Sequence, residues 1–274
     1  MRSLPLPIPA DGEDNVIEVL CQDPIFAPGR HAWRAAYASY RAVGGDPWAI
    51  DPLDVEDDLH DRRYKLYDGR RNSSELRAIR DDPRLNSCPM CGSPVIGSLD
   101  HYLPRATYSE FSIMRANLVP ACTHCNSSTK GTTHRGEAEP ERFIHPYFDT
   151  WADEPVWQVE ISAPYSAATF RPIPNPDLGE LRATLVRFHL KNVLGKQFKI
   201  STVNLWATYH RTLAVNLDDY ALEAVIARID KDRRIAEITA GANSWDAAFL
   251  RGLRTSAPAI EHVRTRLLEF VGHA

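Results

Sequence analysis

Apolar positions along this chain change spacing twice, and the changes divide it into three stretches. In HAWRAAYASYRAVGG, Trp33, Ala36, Tyr37 and Tyr40 recur every three or four residues, which predicts a helix with one buried face ended by a glycine pair. Residues 54–67 predict a second helix, with Val55, Leu59, Leu66 and Tyr67 apolar and Gly69 as its stop. Ser73 and Ser74 are candidate caps for a third, ELRAIRDD, which must close before Pro83. The spacing then shortens. SPVIGSLDH and NLVPA are brief apolar runs with strand character, and residues 156–161 and 169–173 alternate as a hairpin bounded by prolines. Beyond Asp177 the helical period returns in four amphipathic segments, starting at DLGELRATLVRFHLKN, KQFKISTVNLWATYH, DDYALEAVIARIDKD and APAIEHVRTRLLEFV. Their aromatic residues Phe188, Trp206, Tyr209 and Phe270 are expected to fill the core. The fold class is therefore α+β and predominantly α-helical. Residues 1–84 form an N-terminal helical region, 85–150 a compact module, and 151–274 a C-terminal region of hairpin and helices.

Composition adds exclusions. The 274 residues, 43% apolar and 25% charged, suit a globular chain with a sizeable core. No apolar run approaches the roughly 18 residues that span a bilayer. The opening MRSLPLPIPADGED is too rich in proline for a signal peptide, so the cytoplasm is expected and no membrane partner is. Net charge is −4, unevenly spread: acids dominate the first sixty residues, and Arg62, Arg63, Lys65, Arg70, Arg71, Arg77, Arg80 and Arg84 follow. Arg62/Arg63 and Lys231/Arg233/Arg234 are the clusters expected to touch a nucleic acid or a protein partner.

Five cysteines change the picture most. Cys88/Cys91 and Cys122/Cys125 are two Cys-x-x-Cys pairs separated by 30 residues, enough thiolates for one closed, structural zinc site. Cys21, in VIEVLCQ, is expected to be a buried small hydrophobe. Between the pairs lie Asp100-His101 at the end of a strand and Asn117 before the next; Asn126 follows the last cysteine. Asp100 and Asn126 offer hard oxygen donors suited to magnesium, with water and a phosphate oxygen completing the shell. A second metal beside the zinc is the implication.

These residues resemble the HNH nuclease motif, of the ββα-metal type with a four-cysteine zinc site. The likeness spans about 45 residues. It extends weakly through RFIHPYFD at 142–149, which is similar to some bacterial defence-associated members. The resemblance implies an embedded zinc-stabilised ββα-metal module and a metal-dependent endonuclease that hydrolyses DNA. His101 would be the general base, Asp100 and Asn126 would bind the catalytic Mg2+ or another divalent ion, and Asn117 would orient the imidazole or its loop. Arg105 and Lys130 are candidate phosphate contacts. His124, within the second knuckle, is expected to be exposed, and His145 to close the module by packing against Tyr147 and Phe148. The same likeness suggests defence against phage or foreign DNA beside an ATPase partner, as in Septu-like systems. The alternatives are a zinc-organised binding or assembly module without catalysis, and a stand-alone restriction-type endonuclease. No helix-turn-helix or second zinc finger is visible for reading sequence.

Overall fold

A computed structural model of the chain describes residues 1–8 and 10–272. Its first part is helical: α1 (Ala10–Leu20), α2 (Arg30–Ala42), α3 (Asp57–Arg70) and α4 (Ser74–Arg80). The α2 stripe is buried as the spacing predicts, with Trp33, Tyr37 and Tyr40 wholly enclosed. Tyr40 stands edge-on to Phe111, 4.9 Å between ring centroids, and the Trp33 indole N–H donates to the Glu110 carbonyl. Ser73, of the two candidates, caps α4, its hydroxyl accepting from the Leu76 N–H. Gly69 does not stop α3; it lies inside the helix, which starts later than expected and leaves Val55 outside.

The strands of the module are short. β1 (Ser98–His101) and β2 (Leu118–Ala121) pair antiparallel, with Asp100 opposite Val119 and His101 opposite Leu118. Alternate strand residues face opposite ways. Leu99 packs with Leu118, Leu76 and Ile79 under α4, and Tyr67 lies against the same cluster. Where the ββα resemblance implies a helix, the chain after Cys122 forms a short turn with one π turn, Cys125–Thr129.

The C-terminal part carries the hairpin β3 (Trp157–Ser162) and β4 (Thr169–Pro174), then α5 (Glu180–Val193), α6 (Lys196–Asn216), α7 (Leu222–Ala240), α8 (Trp245–Arg254) and α9 (Ala257–Gly272). Four helices were expected here and five occur. The extra one, α8, is short, with six of its ten residues buried, capped by Ser244 and laid directly on β3. A Cβ on Gly252 would sit within 1.8 Å of the Val159 carbonyl oxygen, so that glycine lets helix and strand touch. Phe188 and Tyr209 are core residues as predicted, whereas Phe270 is 40% exposed. Two main apolar clusters result. One joins α1–α3 to the cysteine module; the other joins the hairpin to the C-terminal helices. None of the described helices is long and apolar enough to cross a membrane.

Candidate functional site

Cys88, Cys91, Cys122 and Cys125 converge as buried thiols, all sulfurs within 4.8 Å of one another. The Cys91 and Cys122 sulfurs are 3.7 Å apart. A tetrahedron with Zn–S bonds of about 2.3 Å has edges of about 3.8 Å, so the spacing fits that ion. The Cys122 N–H points at Cys88 Sγ and the Cys125 N–H at Cys122 Sγ, each at 3.3 Å, which favours thiolate. The four cysteines are thus a cluster able to hold a structural metal. Cys21 lies apart, buried, its thiol directed at the Phe26 carbonyl.

This cluster is also a junction. The Trp245 indole N–H donates to the Cys91 carbonyl and its backbone N–H to Gly92. Gly92 has φ +77° and lies so close to the Asn243 carbonyl that no side chain would fit. His189 of α5 spans from the Met90 carbonyl, within the first knuckle, to the Ile144 N–H. Because a carbonyl only accepts, His189 Nε2 carries the proton and Nδ1 accepts. Burial holds this imidazole down to about 4, in the neutral form that the bridge needs.

Above the cluster, β1 ends in Asp100 and His101. The His101 ring is buried, with Nε2 2.9 Å from the Ser112 carbonyl. Nε2 must therefore be the protonated nitrogen, which leaves the Nδ1 lone pair as the basic atom. Burial lowers its pKa to about 3; the nearby Arg105 and Lys130 charges push the same way, against the bond to Ser112. The imidazole is held neutral throughout the physiological range. Tyr67 of α3 meets it edge-on, 4.6 Å between centroids.

Asp100 is equally enclosed. Burial raises its carboxyl to about 6 despite the Lys130 charge. Lys130 Nζ lies 3.2 Å from Asp100 Oδ2, and its hydrogen bond, 2.7 Å, goes to the His101 carbonyl. Oδ2 itself receives no hydrogen bond although it is buried. A carboxylate oxygen in that condition suits a cation, and the donors Asp100 and Asn126 are of the hard-oxygen type that magnesium takes. The cation now facing it is Lys130. Lys130 is accordingly not a surface contact for phosphate: its side chain is wholly buried.

Asn126 donates through Nδ2 to Ser98 Oγ and the Leu99 carbonyl, so it is fastened to β1 immediately before Asp100. Asn117 acts on the loop after His101. Its Oδ1 accepts from the Leu103 N–H and its Nδ2 donates to the Leu103 and Phe111 carbonyls. It does not touch the imidazole. Tyr40 donates to the same Oδ1 at 3.0 Å and stands 2.9 Å from His145 Nε2. His145 Nδ1 accepts from Tyr147, so Nε2–H donates to the Tyr40 oxygen. His145 therefore closes the module by packing, as expected, and adds a buried hydrogen-bonded line to Asn117. Sequence reading missed Tyr40 and Tyr67 because they act from outside the motif, and Ser112 because it acts through its backbone carbonyl, which no side-chain pattern marks.

Arg105 lies in an ion pair with Asp68 at 3.1 Å and over the rings of Tyr64 and Tyr67. His124 is half-buried rather than exposed, and a Cβ on Gly195 would sit only 2.4 Å from its Nε2. Two expected cation clusters also change character. Arg63 is fully buried over Trp33, and Arg233 pairs with Glu237.

No protein-family model matches the chain and no solved structure matches it. A similar protein is Protein ea31 of Escherichia phage lambda, 42% identical over 93 residues. That segment is 31% of this chain and 30% of the phage protein, so the chain matches under a third of that relative's length.

Proposed function

We propose that this chain is a metal-dependent endonuclease of the HNH type that hydrolyses phosphodiester bonds of DNA. The observation that carries the reading is the fixed tautomer of His101: Nε2 is spent on the Ser112 carbonyl, so Nδ1 stays unprotonated, one strand position after the buried Asp100. Cleavage of a phosphodiester needs a base to take the proton of an attacking water, and His101 Nδ1 is in the form to do so. Asp100 and Asn126 would hold a divalent ion, which when bound supplies positive charge for the phosphate and the departing 3′ oxygen. Asn117, backed by Tyr40 and His145, holds the loop that follows the base. Zinc on the four cysteines would keep β1 and β2 in place over the π turn.

The biological setting we infer is conflict between bacteria and mobile DNA, with an ATPase as the partner to be sought. A second reading has one specific observation in its favour. Lys130 already faces the Asp100 carboxylate, which suits a zinc-organised binding module that needs no second ion. Plasmid nicking separates the two. Wild-type protein is expected to cut with magnesium, and neither chelated wild type nor His101→Ala to do so. Absence of magnesium-dependent cutting by the wild type, alone and with its partner, would favour the binding module.

A further inference from the structure

The C-terminal half of α3 concentrates unpaired positive charge beside the base. Its first turns are acidic, with Asp57, Asp58 and Asp61, and Arg62 is taken up by Asp58 at 2.7 Å. Asp68 is neutralised by Arg105. Lys65, Arg70 and Arg71 remain exposed, and none of the three has a salt bridge or side-chain hydrogen bond among the described residues. Cations at a helix C-terminus also suit its dipole, but that requires no open cleft beside them.

Such a cleft is present. Lys65, Leu66, Gly69 and Arg70 line an open groove of about 580 Å3 whose other wall carries Asp23, Ile25 and Phe26, with one Asp23 oxygen accepting from the Ile25 N–H. Arg70 also reaches the neighbouring recess with Ser73 and Arg115. Arg71 follows the end of α3, one turn beyond Tyr67, and its N–H donates to the Tyr67 carbonyl. Tyr67 is the ring set edge-on to His101. The exposed cations therefore run from the groove to the side of the base.

Gly69 is the second, independent sign. Glycine within a helix is less stable than alanine. Here it has no positive φ, and a Cβ would meet nothing within 4 Å. Packing within the chain does not require it. Bare backbone flanked by Lys65, Arg70 and Arg71 leaves room for something to approach closely.

We propose that the edge of α3 formed by Lys65, Gly69, Arg70 and Arg71 is where the sugar-phosphate backbone of duplex DNA docks, outside the cysteine module. This rests on the nuclease reading for its substrate, and it moves the contact away from the buried Arg63 and the paired Arg105. The acidic remainder of the chain, net −4 overall, would then confine binding to this edge.

The test uses the full-length, zinc-loaded chain carrying His101→Ala and a fluorescent duplex, titrated at several salt concentrations. Lys65→Glu/Arg70→Glu/Arg71→Glu is expected to weaken binding at least tenfold and flatten the logarithmic salt dependence by about 2 to 3. Lys231→Glu/Arg234→Glu on α7 should leave both unchanged. Gly69→Met removes no charge, so it should weaken binding without changing the salt slope. Zinc content and helicity serve as the check that all variants fold. Equal affinity in the α3 variant, loss only in the α7 variant, or no duplex binding at all overturns the proposal. If the α3 variant alone loses DNA while wild-type protein never cuts, the docking edge stands and the nuclease reading falls.

Discussion

Lys130 points its ammonium at Asp100 Oδ2 from 3.2 Å, with both side chains buried, and donates to the carbonyl of His101. One lysine thus holds both the expected metal ligand and the backbone of the expected base. Buried ion pairs contribute little net stability, but breaking one strands a charge. Lys130→Met should lower unfolding stability by about 3–5 kcal/mol. The double variant Lys130→Met/Asp100→Asn should recover a large part, because no charge is then left behind. Denaturant titrations in which the double variant is as unstable as the single would show that Lys130 acts by packing alone.

The four cysteines tie the module to the C-terminal helices through Trp245 and His189. Purified protein should contain one zinc per chain. Cys122→Ser, or a strong chelator, should lower the thermal midpoint and expose Trp245, which a red-shifted tryptophan emission would report. Metal analysis that finds no zinc after chelator-free purification would refute the site.

His101→Ala should reduce magnesium-dependent cleavage by about 10² to 10⁴. Because His101 is buried and satisfies the Ser112 carbonyl, some stability is lost too, about 1–3 kcal/mol. Assay well below the variant's own melting point separates the two effects. Cutting at the wild-type rate there would remove His101 from the mechanism.

Glu13 of α1 is 2% exposed and accepts from the Arg115 N–H. Burial raises its carboxyl from 4.5 to about 7, with Arg115 opposing. The folded chain therefore binds this proton more tightly than the unfolded one. The stability that the protonated group contributes is present below about 4.5 and is lost as pH rises to about 7. Glu13→Gln keeps an acceptor but never ionises. It should be more stable than wild type above pH 7, by on the order of 1 kcal/mol, with the gap closing below pH 5. A difference that does not change with pH would contradict this.

Local pattern determined a good deal of this protein. The Trp33/Tyr37/Tyr40 stripe specified a buried helix face, and the two Cys-x-x-Cys pairs specified one thiolate cluster. Within the stripe and within each Cys-x-x-Cys pair the residues lie three or four positions apart, a distance at which sequence spacing is spatial proximity. The alternation in β3 and β4 was legible for the same reason. The helix α8 was not: with only ten residues it offers fewer than three turns for a period to show, and its seat on β3 depends on the close approach of Gly252 to Val159.

The tertiary structure decided what the polar residues do. Nothing in the run of basic residues after Asp61 distinguishes Arg63, buried over Trp33, from Lys65 and Arg71, which are exposed. Lys130 reads as a candidate phosphate contact close after the last cysteine, yet it is enclosed with Asp100. His101 is given its tautomer by a carbonyl eleven positions away, and Asn117 its second donor by Tyr40, from a helix far earlier in the chain. Burial and hydrogen-bond partners come from segments that meet only when the cores close, and a charged or imidazole group takes its protonation state from those neighbours. The sequence determined which groups are present and roughly where; packing decided which of them face solvent, which face each other, and which nitrogen is left basic.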